Sequence, residues 1–229
     1  MSNKEQDDYS CPPLHHALLY AMLMKVNETF EKEKIQYFLD GGSLLGCVRD
    51  KGIIKHDDDI DLGIFDKQFE KASLALEKLC QNFVIEVETN ENEGENKTKE
   101  TKKYEVKFCR EKGWDYMLKI YVPDLWCENI KSKKIFGTPT LDIFSYTKAG
   151  DKIKLSNHRQ RLEFKNCYYL KTEMFPLTLR DFGPVKAYTA FQQKPYLFRY
   201  YGKDCLEKVK IDTRQAENPK LKTRENITL

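Results

Sequence analysis

The sequence predicts an α/β (α+β) chain, a mixed β-sheet flanked by helices, and three features carry that prediction. Apolar residues recur at four-residue steps over residues 13 to 33 and again after Asp66, the spacing of helices laid on an apolar layer. From Asp59 to Ile64 apolar and other residues alternate, the period of a strand with one face in the core. Short β-favouring runs before and after these segments supply the remaining strands.

In the first helix Leu18, Met22, Val26 and Phe30 form the buried stripe, with Leu19 and Leu23 beside it. Ile35 to Leu39 is a short apolar run that ends in the turn Gly41-Gly42-Ser43, before the helix-compatible stretch Leu44 to Arg49. Backbone N–H groups of such a turn can face an anionic oxygen, and Ser43 suits either the N-cap or direct contact with a phosphate. Arg49, at the end of that helix, suits a charge-assisted bond to phosphate or to an aspartate. Asp66 is expected to cap a helix with Phe69, Ala72, Leu76 and Leu79 on one face. Phe83 to Glu88, Tyr104 to Cys109, Trp114 to Val122 and Ile135 to Tyr146 read as strands. Residues 89–103 contain no apolar side chain and read as a mobile charged loop, and residues 213–229 as a loosely held tail.

Asp57, Asp58, Asp59 and Asp61 fall within five positions, and so many like charges repel unless a cation or protons neutralise them. Strand parity sets Asp57, Asp59 and Asp61 opposite the apolar Ile60, Leu62 and Ile64, leaves Asp58 with the apolar set or at the edge, and makes Gly63 an open space above the carboxylates. Two carboxylates at i and i+2 on a rigid strand suit a hard divalent cation that also bridges to phosphate. A calcium loop starting at Asp57 needs glycine sixth and glutamate twelfth, where this chain has Leu62 and Gln68. The run Gly41 to Gly46 has neither dinucleotide-site spacing nor the lysine of a phosphate-binding P-loop. Further along, Asp142 is an acidic residue inside the apolar run Thr138 to Phe144, an expensive place for an unpaired charge. A metal, a lysine partner or an edge position each accounts for it.

The length of 229 residues permits one domain with a substantial core. Its 39 basic and 36 acidic residues nearly cancel, and the net charge of +3 does not call for nucleic acid as a partner. No run reaches the length of a transmembrane segment, and the amino terminus lacks the pattern of a signal peptide. Seven cysteines without Cys-x-x-Cys spacing support neither zinc nor a full disulfide set, so a cytoplasmic location is expected. The Asn-x-Thr sequons at Asn27, Asn96 and Asn226 matter only in a secretory setting.

The segment Asp40-Gly41-Gly42-Ser43-Leu44-Leu45-Gly46-Cys47-Val48-Arg49, followed by Ile54-Lys55-His56-Asp57-Asp58-Asp59-Ile60-Asp61, resembles the signature of the LicD family. That family includes fukutin and fukutin-related protein and belongs to the nucleotidyltransferase-fold superfamily. The chain departs from it at Lys55-His56, where the family usually has Pro-Trp, and His56 is expected to take the shape role of the tryptophan. Phe175-Pro176-Leu177, Tyr196-Leu197 and Tyr200-Tyr201-Gly202 resemble the family's carboxy-terminal elements and imply acceptor-side shape. The resemblance implies one nucleotidyltransferase-like domain over residues 1–229, with Mg²⁺ or Mn²⁺ held by Asp59, Asp61 and a third ligand, Asp142. It also implies that Gly41, Gly42, Ser43 and Arg49 hold the phosphates. The implied reaction moves phosphocholine or ribitol phosphate from a CDP-linked donor to a sugar hydroxyl of a glycan. Nucleotidyl transfer to a small molecule, or an inactive glycan- or nucleotide-binding relative, are the alternatives.

Overall fold

The computed structural model describes residues 11–93, 96–110, 117–123, 125–129, 135–208 and 219–223. In chain order the elements are α1 (Pro13–Lys32), β1 (Tyr37–Leu39), α2 (Gly41–Arg49), β2 (Asp59–Phe65), α3 (Phe69–Cys80), β3 (Val84–Glu93), β4 (Asn96–Glu105), β5 (Lys107–Arg110), β6 (Met117–Tyr121), β7 (Leu125–Asn129) and β8 (Ile135–Phe136). They continue with β9 (Thr140–Ala149), β10 (Lys152–Leu155), α4 (His158–Glu163), β11 (Tyr168–Leu170), α5 (Lys171–Met174), β12 (Thr178–Phe182), β13 (Val185–Thr189), α6 (Gln193–Tyr201) and β14 (Pro219–Thr223).

The main sheet has seven strands and mixes both directions, as the alternating pattern of helices and strands requires. Its spine runs β1-β2-β9-β10-β11, with β6 on the first half of β9 and β5 outside β6. The pair β2–β9 is parallel over seven residues, from Asp59 opposite Thr140 to Phe65 opposite Tyr146. The other pairings within this sheet are antiparallel. The predicted stripe of α1 is the buried one, for Leu18, Leu19, Met22, Leu23, Val26 and Phe30 are all fully covered. They meet Ile60, Leu62 and Ile64 of β2 and Leu141 and Ile143 of β9 in one core.

Gly63 departs from its predicted role. A Cβ there would lie 2.2 Å from Cζ of Phe38, which stands opposite it in β1. The space is thus filled by an aromatic ring of the neighbouring strand, and the glycine serves packing rather than access to the carboxylates. The charged stretch 89–103 also differs from the predicted loop, because most of it lies in the hairpin of β3 and β4. A backbone ladder needs no apolar face, and near its base Glu86 stands opposite Lys103 with an ion pair at 2.8 Å. Within the predicted tail, Pro219–Thr223 pairs antiparallel with β7, while residues 213–218 and 224–229 lie outside the described residues. So do residues 114–116 of the predicted strand Trp114 to Val122, which is described from Met117. Asp66 opens a short 3₁₀ turn, its carboxylate accepting from the Lys67 N–H at 2.8 Å, and α3 starts three residues later. Among the described residues no helix is long and apolar enough to cross a membrane.

Candidate metal and phosphate site

The parallel register puts Asp61 beside Asp142, and Asp59 lies two residues before Asp61 on the same strand. Paired residues of adjacent strands share a face, so the backbone alone gathers Asp59, Asp61 and Asp142 on one side of the sheet. Asp57 and Asp58 precede the strand rather than belonging to it. Asp57 still reaches the same side, since its Oδ2 lies 2.7 Å from where a Cβ on Gly42 would stand. Asp58 turns elsewhere and packs against Gly137. Asp58, which parity sets with the apolar residues or at the strand's edge, precedes the strand, and its charge still acts on Asp57 and Asp59.

Electrostatics follow from this crowding. Burial, then the charges of Asp61, Asp58, Asp142 and Asp57, push the Asp59 carboxyl well above the usual range. Burial and then Asp142, Asp40 and Asp57 do the same to Asp61. For Asp57 burial is the main cause, with Asp58 adding to it and Arg49 opposing it, and the result is a carboxyl pushed up to about 7. Lys119, opposite Asp142 on β6, places Nζ 3.2 Å from its Oδ1. The lysine partner considered for Asp142 is therefore present.

The turn before α2 fits closely over these acids. Gly41 has φ +48°, and a Cβ on it would stand 2.5 Å from Oδ2 of Asp61, so only glycine fits there. The helix starts at Gly41, with Asp40 rather than Ser43 at the N-cap position. The Gly42 N–H donates to Asp61 Oδ2 at 3.2 Å, and Ser43 Oγ accepts from the Asp61 N–H at 2.9 Å. Both groups, predicted to face a phosphate, are here turned onto the acidic strand. Arg49 grips Asp50 through two nitrogens, Nε at 3.0 Å and Nη2 at 2.8 Å, and its Nη1 donates to the Cys205 and Lys208 carbonyls. Its charge reaches Asp57 without a contact. His56 is buried, as a substitute for tryptophan would be.

Behind the site lies a buried hub for which the sequence offers no local pattern. Asp40, 3% exposed, accepts hydrogen bonds from Tyr169 and Tyr196 at 2.8 Å each and from Tyr146. The rings of Tyr169 and Tyr196 stack at 3.9 Å. Its backbone N–H donates to the Asp61 carbonyl at 3.0 Å, tying the hub to the acidic strand. The signal in the sequence was an aspartate between an apolar run and two glycines, but its partners lie more than a hundred residues away and no local pattern announces them. Above the hub lies a small cavity of about 70 Å³, bounded by Asp40, Gly41, Asp61, Phe144, Leu155, Phe164, Cys167, Tyr196, Tyr200 and Tyr201. A larger cavity of about 820 Å³ lies elsewhere, between the end of α1, the start of β1 and the β12–β13 hairpin.

The donor set is chemically right for a hard divalent cation: carboxylates on a rigid strand pair, desolvated and mutually repelling. Among the described residues no three acidic, histidine or cysteine side chains already converge at ligand spacing. Mutual repulsion among buried carboxylates gives a cation its driving force for binding.

The family described as LicD/FKTN/FKRP, nucleotidyltransferase domain, matches residues 34–189, which include β1, α2, β2 and β9. An uncharacterised protein of Rickettsia typhi is 27% identical over 183 residues, 80% of this chain and 45% of the relative. One of Rickettsia prowazekii is 26% identical over 170 residues, 74% of this chain and 48% of the relative. The chain thus spans about half the length of these curated relatives.

Proposed function

The chain belongs to the LicD/FKTN/FKRP nucleotidyltransferase-domain family, and from that premise we propose that it is a divalent-cation-dependent phosphotransferase. It takes a phosphorylated alcohol from a CDP-linked donor to a sugar hydroxyl of a glycan. The observation that carries the reading is the register of Asp61 with Asp142, which sets a third carboxylate beside the Asp59-x-Asp61 pair. These three would hold Mg²⁺ or Mn²⁺, which would supply positive charge to offset the negative charge on the phosphoryl oxygens.

The chain's own groups divide the remaining work. Gly41, Gly42 and Ser43, seated on the acidic strand through Asp61, would hold the donor phosphates beside those carboxylates. Lys119 stands ready to bind a phosphoryl oxygen beside Asp142. Arg49 contributes at longer range, by its charge. The acceptor hydroxyl attacks the phosphorus that carries the alcohol, the bond between the two phosphorus centres' bridging oxygen and that phosphorus breaks, and CMP leaves with the oxygen. The hydroxyl proton passes to an aspartate of the cluster.

Of the two alcohols implied, the small cavity favours phosphocholine. Phe144, Phe164, Tyr196, Tyr200 and Tyr201 border it together with two aspartates, and no lysine or arginine is among the described residues around it. Aromatic side chains suit a quaternary ammonium better than a polyol. The deciding experiment incubates the protein and Mg²⁺ with CDP-choline, CDP-ribitol, CDP-glycerol, CTP or ATP, each with a sugar acceptor. Release of CMP from a CDP-alcohol is the expected result. Consumption of CTP or ATP alone, with pyrophosphate released, would establish nucleotidyl transfer instead.

A further inference from the structure

The acidic strand enters the sheet through a stretch that belongs to no helix or strand, residues 54–58. Three of its carbonyls are held from a different part of the chain. The Cys11 N–H donates to the Lys55 carbonyl at 2.6 Å. His16 Nε2 lies 2.9 Å from the Asp57 carbonyl, and His15 Nε2 lies 2.7 Å from the Asp58 carbonyl. A carbonyl only accepts, so both Nε2 atoms carry the proton and donate. His15 is fully buried, and that burial holds its pKa down and the ring neutral. Its Nδ1, 3.1 Å from Cys127 Sγ, then accepts from the thiol, which fixes the ring and the tautomer.

Neighbouring residues of a helix point about 100° apart. Here they sit in the first turn of α1, their rings 6.3 Å apart and inclined at 72°, and they engage two successive carbonyls. Packing alone would not require two donors aimed at one strand entrance. The segment Cys11 to His16 also lies outside the residues matched to the family. It acts at the place where Lys55-His56 replaces the stiffer Pro-Trp of the resemblance, so this chain draws the rigidity of its acidic turn from its own first helix.

We propose that His15 and His16 are positioning residues, which hold the Asp57–Asp58 backbone and thereby fix the direction in which Asp59 and Asp61 leave the strand. What the positioned acids do rests on the phosphotransferase reading above. The positioning itself does not.

The test uses the full chain with His16→Phe, and with His15→Phe and His16→Phe together, which remove the N–H donors and keep a ring. His15→Gln and His16→Gln return an amide N–H at a similar reach. Hydrogen exchange of the peptide covering residues 54–61, the melting temperature, and kcat and KM for CDP-choline with Mg²⁺ are measured on each. The proposal expects faster exchange in that peptide and a fall in kcat of about tenfold or more, since small misplacements of reacting groups are costly. The donor KM should change little, and glutamine should restore most of both losses. His16 is only partly buried, so its single variant keeps the test open where the double variant fails to fold. Wild-type exchange and turnover in the folded phenylalanine variants would overturn the proposal. Equal losses in the glutamine and phenylalanine variants would overturn it too, because ring packing would then be the cause. A wild-type protein inactive on every CDP-alcohol would remove the phosphotransferase reading, while the exchange measurement still decides the positioning.

Discussion

Asp61 and Asp142 stand in register on two parallel strands, so the backbone of the sheet holds their carboxylates side by side. Asp59 joins them from the same face, and burial, then the neighbouring carboxylates, raise the proton affinity of Asp59 and Asp61. Such an arrangement opposes folding near neutral pH and favours binding a cation.

Neutralising one of these acids should therefore separate stability from function. Asp61→Asn keeps an oxygen for the Gly42 N–H and removes a buried like charge. Its melting temperature in EDTA should exceed that of the wild type, while turnover falls by about 100-fold or more, at least the loss expected for groups that support metal ligands. A calorimetric melt paired with an activity assay checks both halves.

The same charges set a pH dependence. Because the folded Asp57, Asp59 and Asp61 carboxyls lie above their unfolded values, the native state holds more protons than the unfolded one in the interval between. Their contribution to stability is full below the unfolded carboxylate range and is lost as pH rises through the folded values, which for Asp57 means about 7. Thermal melts in EDTA should fall by several degrees from about pH 5.5 to about pH 8, and saturating Mg²⁺ should cancel most of that fall.

Asp40 should prove essential for folding in proportion to the bonds it loses. Asp40→Ala leaves the hydroxyls of Tyr146, Tyr169 and Tyr196 without their acceptor and should cost about 3 kcal/mol or more. Asp40→Asn, which still accepts at one oxygen, should cost clearly less, and Tyr169→Phe about 1 kcal/mol. Urea unfolding of the three variants gives the ranking.

Gly63 should tolerate no side chain. Gly63→Ala drives a methyl into the ring of Phe38 and should cost about 2 kcal/mol, part of which Phe38→Leu in the same chain recovers. Additive losses in the double variant would show that the two positions do not share the space.

Much of this architecture was legible in the sequence because periodicity is a local property. The stripe of α1, the alternation in β2 and the apolar run around Asp142 each reveal a buried face within a few residues. Parity grouped Asp59 with Asp61, and the resemblance added Asp142, before the register joined them. What remained hidden depends on distant partners. Gly63 reads as open space until Phe38 is known to stand opposite it. Residues 89–103 read as a loop because composition reports on core formation and says little of a backbone ladder. The Asp40 hub, the Lys119 partner and the two histidines are contacts between segments far apart in the chain, for which no spacing rule exists.

The central claim is tested most directly by following CDP-choline and a sugar acceptor by phosphorus NMR with wild-type protein, Asp59→Ala and Asp61→Ala, each with Mg²⁺ and with EDTA. The wild type should convert the diphosphate to CMP and a phosphodiester only when Mg²⁺ is present, and both folded variants should leave it intact. Turnover retained in both variants, or undiminished in EDTA, would contradict the account.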